Sequence, residues 1–160
     1  MLLQCWALKE SVVTVYTPFQ QVQEFLKFAA THAADFSKPQ LKKFLNAEMS
    51  DIFDFVVSRY TLEQGEQVVR PLYYIEIGGD CDDATIFWVS LLLAAGASPD
   101  DILICEAKEK ASDDTYCHIF CGVRIGNNSV LWLDNLPGCK FGVLNYSKNR
   151  IKVTPVSRYL

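Results

Sequence analysis

The chain has 160 residues, 50% hydrophobic, 12% aromatic and 21% charged, a size at which one domain buries roughly 70% of its unfolded surface. That composition excludes intrinsic disorder, collagen-like repeats and a simple coiled coil. Fifteen basic against 19 acidic residues leave a net charge of −4, so a general phosphate-binding surface lacks its electrostatic term and nucleic acid is not expected as a partner.

Met1 to Glu10 carries no basic start, and its charges cut the apolar stretch short, so a secretory signal is not expected. Val12 to Tyr16 are β-branched or aromatic and read as a short strand or arm. Pro18 then opens an amphipathic helix with Phe19, Val22, Phe25, Leu26 and Ala29 on one face. His32 falls at its end, without a chemical neighbour in the pattern. Ser37-Lys38-Pro39 starts a second helix, in which Leu41, Phe44, Leu45, Met49, Ile52, Phe53, Val56 and Tyr60 hold one face over about six turns. From Thr61 to Gly79 the pattern is irregular. Asp80-Cys81-Asp82-Asp83 then begins a helix that is apolar on all sides and closes at Gly96, as expected of a helix through the protein centre. Its apolar run, Ala84 to Ala97, is too short to cross a bilayer.

Strands are expected at Ile102–Ala107, Cys117–Ile125, Val130–Leu136 and Ile151–Thr154, the last stopped by Pro155. Helices first and strands later imply a single α+β domain over 1–160, helices packed on an antiparallel sheet. The six cysteines, Cys5, Cys81, Cys105, Cys117, Cys121 and Cys139, read as free thiols in a reducing, cytoplasmic compartment.

Chemistry centres on Cys81. With Asp80 as N-cap, Cys81 is the first helical residue and Asp83 occupies the reciprocal capping position. The helix dipole there favours a thiolate, and the Cys81 backbone N–H can face a developing oxyanion. Asp80, Asp82 and Asp83 act the other way unless their side chains point elsewhere, so the thiol needs a cationic partner. His118 is that candidate. If Gly126-Asn127-Asn128 forms a three-residue hairpin loop, Phe120 opposes Asp134 and His118 shares a face with Asp134 as its diagonal neighbour, about 7–8 Å away at the backbone. A one-residue slip would separate them.

Each residue also has an ordinary structural reading: a small buried thiol, a satisfied strand histidine, an aspartate forming a turn. Zinc is disfavoured, because Cys117 and Cys121 on one strand stand about 13 Å apart with His118 on the opposite face. Asp80-Cys81-Asp82-Asp83 lacks the alternation and glycine of a calcium loop, and the absence of any Cys-x-x-Cys pair disfavours thiol redox chemistry.

Gly78-Gly79-Asp80-Cys81-Asp82-Asp83-Ala84, followed by an apolar helix ending in Ala95-Gly96, resembles the Gly-Asp-Cys-x-Asp nucleophile segment of the transglutaminase-like superfamily. His118 in a strand and Asp134 in Trp-Leu-Asp match that superfamily's order. The resemblance covers about residues 50–136 and is nearest to short bacterial and bacteriophage transglutaminase-like cysteine peptidases. It implies a papain-like fold, a central nucleophile helix packed on an antiparallel sheet with additional N-terminal helices. It implies a Cys81, His118, Asp134 triad cleaving a peptide or protein amide through a thioester, without metal or cofactor. Members take a second oxyanion donor from upstream, commonly Trp, Tyr or Gln. Ile75 stands where a papain-type Gln would be, and Tyr60 is offered instead. A substrate cleft is expected above the helix start, rimmed by Lys108–Tyr116. The alternatives are an amine acceptor in place of water, or a binding or assembly module that keeps the fold without turnover.

Overall fold

The computed structural model describes residues 18–61 and 68–160; the strand or arm expected at Val12–Tyr16 lies outside them. Helix α1 (Pro18–Thr31) buries Val22, Leu26 and Ala29 along one stripe. A 3-10 turn, His32–Ser37, leads to α2 (Pro39–Lys42), a second 3-10 turn, Lys43–Asn46, and α3 (Met49–Ser58). The single long helix expected from Pro39 to Tyr60 is therefore broken, because Ala47 and Glu48 are extended, with ψ of 155° and 136°. Leu41 and Phe44 before the break and Ile52, Phe53 and Val56 after it are all buried. The apolar period thus runs through a bend that it does not record. The bend sets the Phe44 ring 5.1 Å from Phe55 and 5.5 Å from Phe87.

The irregular stretch contains a helix that its pattern did not announce. Helix α4 (Pro71–Ile77) has proline at its start, where the missing N–H has no helical partner to lose. Tyr74 anchors it, its buried hydroxyl donating to the Val56 carbonyl at 3.2 Å. Gly78 then turns the chain with φ of 69° and leads into α5 (Cys81–Ala94). Every residue of α5 from Cys81 to Leu92 is buried, as the all-round apolar pattern requires. The Ser90 hydroxyl donates to the Ala29 carbonyl at 2.8 Å and ties α5 to α1.

Strands β1 (Ile102–Ala107), β2 (His118–Ile125), β3 (Ser129–Leu133) and β4 (Ile151–Pro155) form one antiparallel sheet ordered β3-β2-β1-β4. The hairpin has the expected register, Ile125 opposite Ser129 and Cys121 opposite Leu133. Gly126 and Asn128 take positive φ, 58° and 64°, in its loop. β3 ends at Leu133, short of the expected Leu136. Pro155, expected to stop the last strand, is instead its final residue, opposite Leu103; β4 is an edge strand, where a missing N–H is tolerated. Ile102, Ile104, Ile119, Cys121, Val123 and Leu133 join the helices in the main core. The other face holds Cys105, Ala107 and Phe120 under Trp132, Leu144, Tyr146 and Ile151.

Two predictions follow from this frame. A Cβ on Gly78 would overlap the Arg59 carbonyl oxygen, and the residue has φ of 69°; Gly78→Ala is expected to cost about 2 kcal/mol or more in urea unfolding, and an unchanged midpoint refutes it. Glu106, 4% exposed on β1, is raised above 4.5 by burial, against the opposing pull of Lys152 and the Tyr159 hydroxyl. The folded state therefore holds this proton more tightly, so the group's stabilising contribution is complete below 4.5 and is lost as pH rises through the folded value. Glu106→Gln should flatten that loss in unfolding measurements across acid to neutral pH. Parallel profiles for the two proteins would contradict the assignment.

Candidate active site

The nucleophile segment is shaped by its carboxylates. Asp80 caps α5, its Oδ1 accepting from the Asp82 N–H at 3.2 Å, and Asp83 Oδ2 accepts from the Asp80 N–H at 3.1 Å, closing the expected capping box. Asp83 Oδ1 also accepts from the Val69 N–H at 2.9 Å, so one carboxylate ties the chain before α4 to the start of α5. Gly79 fits because a Cβ there would overlap Asp83. Tyr60 lies beside this segment: its backbone bridges Gly79, and the Thr61 N–H donates to the Gly79 carbonyl at 2.8 Å. Asp82 differs from its neighbours. The Cys81 thiol donates to Asp82 Oδ1 at 3.7 Å, so this carboxylate is turned toward the sulfur rather than elsewhere.

His118 and Asp134 meet as the register required. His118 Nε2 lies 2.7 Å from Asp134 Oδ1, with both side chains fully buried. With Asp134 as a carboxylate, Nε2 carries the proton and donates, and the neutral ring then has its lone pair on Nδ1. Nδ1 makes no hydrogen bond among the described residues. The ring centroid is 5.4 Å from that of Phe120 and 6.2 Å from that of Tyr146, which places the imidazole on the sheet face away from α5.

Two contacts align α5 with β2. The Thr85 hydroxyl is 2.7 Å from the Cys81 carbonyl and 3.3 Å from the Ile119 carbonyl. Beyond the helix, the Arg124 N–H donates to the Asp101 carbonyl at 2.8 Å. Helix and strand therefore run in the same sense, and Cys81, one turn before Thr85 and about 6 Å nearer the helix start, comes to the end of β2 that begins with His118. The structure thus joins His118 to Asp134 and brings Cys81 to the same end of the sheet, with its thiol on Asp82.

The expected open cleft is not formed at the sulfur. Cys81, His118 and Asp134 are 0%, 1% and 0% exposed, because the helix start is packed into the core. A cavity of about 490 Å³ lined by Ala33, Ala34, Phe36, Ser37, Lys42, Leu45 and Ala94 reaches the opposite end of α5. The remaining cysteines do not converge on a metal-binding group: among the described residues, Asp80, Cys81 and Asp82 form the one trio of ligand atoms within 4.8 Å of each other. Cys105, Cys117, Cys121 and Cys139 are free thiols among the described residues. Burial pushes the Cys105, Cys117 and Cys121 thiols up, and burial with the neighbouring Asp134 charge raises Cys139 to about 11.

Two groups had no sequence signal. His32 has a neighbour after all: its Nδ1 is 3.8 Å from buried Asp35. Burial pushes the Asp35 carboxyl up, but Arg70, donating from Nε at 3.0 Å, outweighs this and holds it below its usual value. Asn135, the residue after Asp134, accepts from Trp88 Nε1 on α5 at 2.9 Å. Neither spacing nor periodicity marks it. No family model, curated protein or solved structure matches the chain.

Asp83→Ala leaves the buried N–H groups of Val69 and Asp80 unpaired and is expected to cost about 3 kcal/mol. Chemical denaturation measures this, and a loss below about 1 kcal/mol would show that the double contact does not hold the helix start.

Proposed function

We propose that this chain is a cysteine-nucleophile hydrolase of peptide or amide bonds, of the transglutaminase-like type. The observation that carries the reading is the His118–Asp134 pair, bonded through Nε2 at 2.7 Å while Nδ1 has no partner among the described residues, at the strand end where Cys81 begins α5. The base is oriented by a carboxylate, and reaction requires the Cys81 sulfur, on the α5 side of the sheet, to come round the strand end to the Nδ1 lone pair.

In this mechanism the Cys81 thiol leaves Asp82 and transfers its proton to His118 Nδ1. The thiolate attacks the carbonyl carbon, an S–C bond forms, and the C=O pair moves onto oxygen at the positive end of α5. His118 returns the proton to the leaving nitrogen as the C–N bond breaks, giving a thioester and free amine. Water, deprotonated by Nδ1, then attacks the thioester; the S–C bond breaks, and carboxylic acid and thiol are restored. An amine in place of water completes transamidation. Asp134 accepts from Nε2–H throughout and stabilises the imidazolium. Turnover requires the sulfur to become accessible, since Cys81 is 0% exposed. That burial is the observation favouring the second reading, a binding or assembly module without turnover.

Iodoacetamide separates the two. Near neutral pH, Cys81 should be alkylated at least about tenfold faster than Cys105, Cys117, Cys121 and Cys139, with His118→Ala slowing it by about tenfold or more. Peptide mass analysis reads each site. Equal rates at all five thiols, or indifference to His118→Ala, would leave the module reading standing.

A further inference from the structure

Asn135 is 0% exposed. Its amide oxygen is identified by its partner: Trp88 Nε1–H can only donate, so the amide atom 2.9 Å from it is the acceptor. The other end of the amide, Nδ2, makes no hydrogen bond among the described residues. A buried donor left unpaired costs about 1–3 kcal/mol, and native structures seldom retain one without a use. Its surroundings point to that use. Trp88, Thr85 and Cys81 are seven and four residues apart on α5 and share the helix face directed at the start of β2. Asn135 thus couples the carboxylate that holds His118 to the helix that carries the nucleophile. An oxygen turned to Trp88 turns the NH₂ group away from it, across the amide. Asp134 Oδ2 and His118 Nδ1 are likewise unpartnered among the described residues.

We infer that Asn135 is a catalytic residue of the Cys81 reaction, its Nδ2–H donating to the carbonyl oxygen as negative charge develops there. The inference rests on the hydrolase reading and names the donor that reading lacked. Sequence reasoning offered Tyr60, upstream of the nucleophile. In the structure Tyr60 is held by its backbone bridge to Gly79 and packs against the main core, whereas Asn135 has a buried amide with its donor unspent. An amide fixed at its oxygen end is a preorganised donor, because no reorientation is needed when charge appears.

The test compares two reactions of the same sulfur. Alkylation by iodoacetamide displaces iodide and develops no oxyanion. Acylation by p-nitrophenyl acetate does: the thiolate adds to the ester carbonyl, the S–C bond forms, and p-nitrophenolate leaves as the C–O bond breaks. Asn135→Asp keeps an oxygen for Trp88 and removes the NH₂ group; Asn135→Ala removes both. In each, the ratio of acylation to alkylation rate at Cys81 should fall by about 10²–10³, while Tyr60→Phe leaves it within about threefold of wild type. An unchanged ratio in both Asn135 variants, or a fall confined to Tyr60→Phe, overturns the assignment while fast wild-type alkylation keeps the hydrolase reading. Wild-type Cys81 that is neither alkylated faster than the other thiols nor acylated overturns both. A readout without substitution covers variants that fail to fold. Acetaldehyde adds to the Cys81 thiol as a hemithioacetal, its oxygen taking the proton. In protein with isotope-labelled asparagine, the Asn135 side-chain amide resonances should then shift, and static resonances refute the role.

Discussion

The Asp83 carboxylate holds together the part of the molecule on which everything else depends. One oxygen receives the Asp80 N–H at the start of α5 and the other receives the Val69 N–H, 14 residues earlier. Both donors lie in buried contacts. A buried carboxylate that satisfies two buried donors is strongly directional, since losing either contact leaves an unpaired group in a medium of low dielectric. The two glycines before Asp80 serve the same arrangement: a side chain on Gly78 would meet the Arg59 carbonyl, and one on Gly79 would meet Asp83 itself. The first turn of α5 is therefore set from outside the helix as well as by its own cap.

With that turn placed, the helix carries its position to the sheet. Residues Cys81 to Leu92 are buried, so α5 cannot rotate without exposing apolar surface. Three polar contacts then fix its register: Thr85 against the Ile119 carbonyl, Trp88 against Asn135, and Ser90 against Ala29. The sheet contributes its own rigidity. The β2–β3 hairpin sets Asp134 diagonally from His118, and the aromatic layer of Phe120 and Tyr146 confines the imidazole from its own side. Thiol, imidazole and carboxylate thus reach one end of the sheet by two independent routes, helix packing and hairpin register. All three are buried, the ring on the sheet face away from α5, and the acidic residues beside the thiol are held partly by backbone donors and partly by the thiol itself.

Legibility in the sequence followed the range of each interaction. The capping box was readable because its partners are three residues apart, and the hairpin register because a three-residue loop with positive-φ positions at Gly126 and Asn128 leaves little choice. The break at Ala47–Glu48 was not readable: the apolar residues on both sides meet the same core, so the period continues across it. Helix α4 escaped because seven residues carry too few turns for a periodic signal. Asn135 and Asp35 escaped because their partners, Trp88 and Arg70, lie 47 and 35 residues away, and no local pattern encodes such distances.

The sequence by itself determined that helices precede strands, the start of the central helix, the hairpin pairing that joins His118 to Asp134, and Cys81 as the thiol at a helix N-terminus. All of these are set by chain geometry within a few residues or across one short loop. Only the tertiary structure decided that the sulfur is enclosed and bonded to Asp82, that Asp83 also secures Val69, and that a buried amide stands beside the carboxylate with its donors unspent. Enclosure and unspent donors are properties of how separate segments close on one another. They depend on the whole packing arrangement, which no stretch of chain specifies alone.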